Sequence, residues 1–253
     1  MSAPEPSQPS VARVYDFWLG GKDNYEVDRE EAVRLQRLMP RLDLRLVARE
    51  NRGFLRRAVG YLAAAGVGQF LDLGAGLPTG DNTHQIAQRV HPAARVVYVD
   101  TDPIVLAHGR ALLAVDEHTA IAEADLRSPK DVLDHGEVAR LIDFDRPVGV
   151  LLVAVLHFLS DERAGELVAR VVERAAPGSY LVISHGLRTP ATERVAAVYA
   201  AAEATVRSRQ EIAAFFEGLE LVEPGLVPLS DWRPALARSA GQELPVLCGV
   251  GRK

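Results

Sequence analysis

The sequence predicts an α/β fold built on a doubly wound, mostly parallel sheet, and three observations carry that prediction. A short apolar strand, Gln69-Phe-Leu-Asp-Leu73, runs straight into a glycine turn at Gly74 and Gly76 and then into a helix start. From there to Ser184, β-branched or apolar runs alternate with helical patterns in a βαβαβ rhythm. One of the runs, Val148 to Val155, is apolar on both faces, as a central parallel strand buried between helix layers must be.

Composition sets the frame. The chain has 253 residues, 48% hydrophobic and 25% charged, enough to bury one large core, so one compact domain is expected. A formal net charge of −5 gives no general case for a surface that binds polyanions. The single cysteine, Cys248, rules out an internal disulfide and fits a reducing cytoplasm. Met1 to Ser10 lacks the apolar core of a signal peptide, and no run reaches the roughly 18 apolar residues that a membrane span needs. A cytoplasmic protein with no membrane partner is the resulting expectation.

Taken in order, residues 1–9 are rich in Pro and Ser and read as a mobile leader. Residues 10–66 read as an N-terminal helical cap and residues 67–253 as the sheet domain. In the cap, Val11, Val14, Tyr15, Trp18 and Leu19 fall at helical spacing before Gly20-Gly21. A second helix covers Val27 to Leu38, and a third runs from about Leu42 to Ala65 with Gly66 as its stop. The third helix carries a stripe of Arg41, Arg45, Arg49, Arg52 and Arg56. The stripe reads as a solvated face partly paired with Asp43, Glu50, Asp28, Glu30 and Glu31, because aromatic residues for base stacking are missing from it.

Past the glycine turn, Val96 to Val99 is a strand ending in Asp100, and Pro103 to Val115 a helix with proline in its first turn. Thr119 to Ala124 is a third strand, ending in Asp125. A helix from Ser160 or Asp161 to Arg174 follows the buried strand, and Ser179 to Ser184 is the next strand. Pro190 to Thr205 reads as an alanine-rich helix, and Ser208 to Glu211 as a capping box opening a short helix to Gly218. Leu219 to Val222 and Leu244 to Val250 complete seven strands, the last two paired antiparallel at one sheet edge. Between them Pro224 to Gln242 is a long loop in which Trp232 either shapes an entrance or covers the sheet.

Ligands of such sheets bind beyond the carboxyl ends of the strands. A dinucleotide fingerprint needs G-x-G-x-x-G, and Thr79 stands where the third glycine belongs, so a pyrophosphate is disfavoured. Asp100 ends the next strand, where a carboxylate can accept ribose hydroxyls, and Asp125 ends the one after, where it can meet an adenine amine with Leu126 beside it. Together these residues describe a site for a nucleoside without phosphates.

Asp72-Leu-Gly-Ala-Gly76, Val99-Asp100-Thr-Asp-Pro103, Glu123-Ala-Asp125, Val155-Leu-His-Phe158 and Ala176 to Ile183 resemble, in order, the motifs of class I S-adenosylmethionine-dependent methyltransferases. The flanks narrow the resemblance: Ala12 to Asn24, Phe70 to Thr79 and Phe215 to Gly225 look like an actinobacterial group of these enzymes once grouped as a domain of unknown function. The resemblance implies a Rossmann-like sheet, S-adenosylmethionine as cofactor and S-adenosylhomocysteine as product. Within it, Asp72, Gly74 and Gly76 would hold the methionine end, Asp100 the ribose, and Asp125 with Leu126 the adenine. Thr101 and Tyr15 join the expected cofactor-binding set, with Tyr15 on an N-terminal helix that could close as a lid.

Methyl transfer needs in-line alignment above all, with a base where the acceptor is a hydroxyl or a protonated amine. His157, just past the fourth strand, is the expected catalytic base, with His185 as second choice. No residue cluster has metal-ligand spacing. A small-molecule acceptor and no nucleic-acid partner are expected. The alternatives are a cofactor-binding protein without catalysis, an NAD-type oxidoreductase and a nucleic-acid methyltransferase.

Overall fold

In the computed structural model, residues 6–113, 116–199, 202–234 and 244–253 are described. Three helices come first, α1 (Val11–Leu19), α2 (Glu26–Leu38) and α3 (Leu44–Ala64). Gly20, at φ 80°, ends α1 in the left-handed conformation that glycine adopts without strain. The Asp28 carboxylate accepts from the Tyr25 amide at the start of α2, and Asp43 accepts from the Arg45 amide at the start of α3. Gln8 and Ser10 are tied down as well: Arg13 donates to the Gln8 carbonyl, and the Ser10 amide donates to Asp28. Of the leader expected over residues 1–9, Met1 to Glu5 lie outside the described residues.

The sheet domain then runs β1 (Gln69–Leu73), α4 (Thr83–Gln88), β2 (Arg95–Asp100), α5 (Pro103–Leu112), β3 (Thr119–Glu123), α6 (Pro129–Leu133), α7 (Gly136–Leu141) and β4 (Gly149–Val153). It continues through α8 (Asp161–Arg174), β5 (Tyr180–Gly186), α9 (Pro190–Ala196), α10 (Arg209–Ala214), β6 (Glu220–Leu221), β7 (Val227–Pro228) and β8 (Val246–Arg252). The strand order is β3-β2-β1-β4-β5-β8-β6, with β7 also paired to β8. Strands β1 to β5 are parallel, and β8 runs antiparallel to β5, β6 and β7. The chain walks outward from β1 to β3 and then returns to β4 on the other side of β1. The switch point, where such sheets take their ligands, therefore lies between β1 and β4.

Side chains alternate across the sheet and make two cores. Phe70, Val96, Tyr98 and Leu151 face α3, α4 and α5, while Leu71, Val97, Val99 and Leu152 face α6, α7, α8 and α10. Trp232 is fully buried in the first core, edge-on to Phe54 at 5.5 Å and to Tyr61 at 5.9 Å. Arg57 donates to the carbonyls of Leu229 and Trp232, so the chain around Trp232 covers the sheet against α3.

Four differences from the sequence expectation have identifiable causes. The sheet has eight strands, the extra one being β7, which forms where a loop was expected; residues 235–242 of that loop lie outside the described residues. Strand β8 is flanked on both sides rather than ending the sheet, because Gly249 and Gly251 present no side chain and let Phe216 and Leu219 pack directly on the strand. Helices α6 and α7, five and six residues long, are too short for a hydrophobic period to announce them. Helix α9 stops at Ala196 because the chain after it is drawn into tertiary contacts: the Thr205 amide donates to the His157 carbonyl, and Arg207 pairs with the continuation of β5. Ala200 and Ala201 lie outside the described residues. Among the described residues no helix is long and apolar enough to cross a membrane.

Candidate cofactor site

The parallel register sets the carboxyl ends of β1, β2 and β3 side by side, with Asp72 opposite Tyr98 and Asp100 opposite Glu123. At the first of these ends the chain turns through Gly74 at φ 74° and Gly76 at φ 66°. The Gly74 and Ala75 amides both donate to the Val99 carbonyl, locking the turn to β2. The two glycines serve different needs. A Cβ at Gly74 would stand 2.4 Å from Val155 Cγ2, whereas one at Gly76 would meet nothing within 4 Å. Gly74 is a packing glycine, and Gly76 lines open space that a ligand can enter.

Asp100 is fixed by three backbone amides: Gly76 donates to Oδ2 at 2.9 Å, and Thr101 and Asp102 donate to Oδ1 at 2.8 and 3.0 Å. Burial raises its pKa, and those amides oppose the rise. A carboxylate has about four lone-pair positions, so about one remains for an incoming hydroxyl. Thr101 itself is exposed and contributes its amide. Asp125 is held by a fork from Arg127, whose Nε and Nη2 donate to it at 2.9 and 2.6 Å, and this contact lowers its pKa. Leu126 is buried beside it.

Asp72 is buried and accepts from Thr83 Oγ1 at 2.6 Å. Burial raises its pKa, opposed by the Thr83 bond and by the positive charge of Arg52. The neighbouring Tyr98 hydroxyl accepts from the His84 amide at 2.9 Å, which ties β2 to the start of α4. Thr79, in the place of the missing glycine, donates its amide to Asn82 Oδ1 and its hydroxyl to the Gly80 carbonyl.

Tyr15 reaches this edge from α1. Its hydroxyl donates to the Ala48 carbonyl at 3.1 Å and accepts from Asn51 Nδ2 at 2.9 Å, and burial raises its pKa. Asn51 in turn accepts from Ser184 Oγ on β5 at 2.6 Å, and the Ser184 hydroxyl accepts from the amide of Ala154, a non-glycine residue at φ 56°. A continuous chain of hydrogen bonds thus joins α1 to α3, β5 and the end of β4. Nothing in the spacing of Tyr15, Asn51 and Ser184 along the sequence announces it.

His157 sits in a single 3-10 turn, Leu156–Phe158, directly after β4. Its Nδ1 is buried and has no hydrogen-bond partner among the described residues. Burial, with the nearby His185 and Arg207, lowers its pKa to about 3. His185, fully buried, is committed on both nitrogens: Nδ1 donates to the Gly186 carbonyl at 2.9 Å, and Nε2 accepts from Arg207 Nη1 at 2.7 Å. Its pKa falls to about 4, chiefly through burial. Arg207 also donates to the carbonyls of Leu156 and Leu159 and to Asp161, which makes it the pin that holds the chain after β4 in place. Among the described residues no group of three or more His, Cys, Asp and Glu is placed to hold a metal ion.

The fold matches that of known proteins over almost the whole chain. The family model described as S-adenosyl methyltransferase matches residues 3–253. A candidate methyltransferase from Thermobifida fusca YX is 46% identical, with a TM-score of 0.93 over 98% of this chain and 96% of that one. A DUF574 family protein from Streptomyces avermitilis MA-4680 is 42% identical, with a TM-score of 0.91 over 97% of this chain and 98% of that one. At 17% identity and a TM-score of 0.53, an O-methyltransferase family protein from Burkholderia thailandensis shares the fold, over 94% of this chain and 63% of that one. No curated protein matches the sequence. The chain therefore belongs to the S-adenosyl methyltransferase family, whose methyl donor is S-adenosylmethionine.

Proposed function

We propose that the protein methylates a small-molecule acceptor held beyond the carboxyl ends of β4 and β5, beneath a cap formed by α1 and α2. One observation carries the reading: the cap is fastened on both sides of the sheet edge. On the β2 side, Ser10 Oγ donates to Asp102 Oδ2 at 2.5 Å, and His108 Nε2 on α5 lies 3.5 Å from Asp23 Oδ1. On the β5 side, Tyr15 is tied through Asn51 to Ser184. The nine residues of α1 give a length of about 14 Å, close to the roughly 14 Å spanned by the three strand spacings from β2 to β5. A cap of this reach suits an enclosed small molecule better than a polymer. The arginine stripe of α3 does not favour nucleic acid either: Arg49 pairs with Asp43, Arg45 lies over the Phe17 ring, and Arg52 and Arg56 turn to Asp81.

Bound S-adenosylmethionine supplies an activated methyl group and is released as S-adenosylhomocysteine. In this reading Asp100 takes a ribose hydroxyl, Asp125 and Leu126 flank the adenine, and Gly76, with no side chain, lets the ligand approach the backbone of the turn. Asp72 balances the ammonium of the methionine end. Alignment does most of the catalytic work. His157, neutral at any ordinary pH and with a pKa of about 3, is too weak a base to take a proton well, so its part is to wall and orient the acceptor. A cytoplasmic location fits the one buried cysteine, Cys248.

The test is to incubate the protein with deuteromethyl-labelled donor and, separately, the small-molecule and RNA fractions of one bacterial extract. Label in the small-molecule fraction supports the reading, and label in RNA overturns it. Donor binding with no label in either fraction would favour the second reading, a cofactor-binding protein without catalysis.

A further inference from the structure

We infer that Arg52 is the receptor for the carboxylate at the amino-acid end of the methyl donor, an inference that rests on the cofactor placement proposed above. Three guanidinium groups converge on Asp81 in the turn between Gly76 and α4. Arg89 Nη2 lies 2.5 Å from Asp81 Oδ1, Arg56 Nη1 3.6 Å from Oδ2, and Arg52 Nη2 donates to the Asp81 carbonyl at 3.0 Å. Asp81 is held at φ 60° in this turn. Three guanidinium groups thus share the single carboxylate of Asp81 in this turn.

The three arginines are not equivalent. Arg56 and Arg89 are exposed and engage the Asp81 carboxylate, which neutralises part of their charge. Arg52 is half-buried and anchors on a neutral carbonyl, its one hydrogen bond among the described residues, so it is in no hydrogen-bonded carboxylate pair and most of its five donors are unspent. It is close enough to Asp72, Tyr98 and Tyr15 to stabilise the charged form of each. An α-amino acid end carries one carboxylate and one ammonium. Asp72 supplies the fixed negative charge for the second, and Arg52 supplies a planar fork suited to bidentate contact with the first.

Calorimetric titration of the full chain with S-adenosylhomocysteine and with 5′-deoxy-5′-methylthioadenosine, which lacks the amino-acid end, isolates this contact. Arg52→Gln is expected to weaken S-adenosylhomocysteine by about tenfold to a hundredfold. Methylthioadenosine should stay within about twofold of wild type, because the rest of its site is intact. Arg52→Lys, which keeps the charge without the fork, should fall between wild type and Arg52→Gln, and Arg49→Gln should change neither ligand. Equal weakening of both ligands by Arg52→Gln, or weakening of neither, overturns the assignment. A wild-type protein that binds neither nucleoside would instead overturn the cofactor placement itself.

Discussion

Substituting alanine at Gly74 and at Gly76 separates packing from ligand access within one turn. Both residues have positive φ, at 74° and 66°, so each alanine pays a left-handed backbone cost of about 1–2 kcal/mol. The loss of glycine flexibility in the unfolded chain returns about 0.4–1 kcal/mol at either position. At Gly74 the new methyl would also stand 2.4 Å from Val155 Cγ2 and 2.9 Å from its Cβ, an overlap that costs about 1–3 kcal/mol more. The net destabilisation is about 2–4 kcal/mol for Gly74→Ala and about 1 kcal/mol for Gly76→Ala. Urea denaturation measures both. Calorimetry with S-adenosylhomocysteine should give the reverse ranking per unit of stability lost: Gly76→Ala puts a methyl into ligand space and should lose affinity about tenfold while staying folded. Adding Val155→Ala to Gly74→Ala should recover part of the lost stability, with a coupling of about 1 kcal/mol or more. Equal destabilisation at the two positions, no coupling to Val155, or full affinity in Gly76→Ala would each refute the assignment of the two glycines.

Arg13 and Asp28 form a buried ion pair at 2.7 Å, and Asp28 also accepts the Ser10 and Tyr25 amides, so Arg13→Ala should cost about 3–5 kcal/mol and loosen α1 first, read by hydrogen exchange. His157 and His185 have folded pKa values of about 3 and 4, below the unfolded value, so the unfolded state binds more protons once the pH drops below about 6.5. Stability should fall with acidification between pH 6.5 and 4, by up to about 1.4 kcal/mol per pH unit for each histidine, and His157→Phe should flatten that slope in urea melts at stepped pH. For the same reason kcat/KM on a true acceptor should show no limb near pH 6.5 assignable to His157; a limb that vanishes in His157→Gln would restore it as the base. Ser10→Ala together with Asp23→Asn removes both fastenings of the cap to α5, and cofactor release followed by stopped-flow fluorescence should accelerate severalfold.

What could be read from the sequence was whatever has a fixed local period or a fixed turn chemistry. The five parallel strands, the three N-terminal helices and the capping box at Ser208 each follow from apolar spacing or from a capping residue. The placement of Asp72, Gly74, Gly76, Asp100, Asp125 and Leu126 along one sheet edge is legible because each stands at or just beyond a strand end, and parallel register brings consecutive strand ends together. The position of Arg52 beside the turn after β1 is not legible in that way. Its helix carries arginines at every third or fourth position, and only the fold decides that Arg49 meets Asp43 while Arg52 meets the turn after β1. Arg207 gave no signal either, since its burial depends on carbonyls at Leu156 and Leu159, far away in the sequence.

The same contrast bears on how the protein divides its work. On the proposed donor side, the site rests on the glycine turn and the strand-end acids of β1 and β2, and these move only if the sheet moves. On the proposed acceptor side, the walls are side chains from α1, from the turn at His157 and from the chain that follows α9, where Phe158 and Tyr199 lie 5.9 Å apart. Those segments are joined to the sheet by side-chain links such as Tyr15 through Asn51 to Ser184 and Arg207 to His185, and at Arg207 also by backbone bonds to the continuation of β5. A side-chain change in these walls therefore costs packing at those links and leaves the glycine turn intact. A fold arranged this way can hold one methyl donor constant while its acceptor varies, which is how a shared donor site and divergent substrates come to coexist on one sheet.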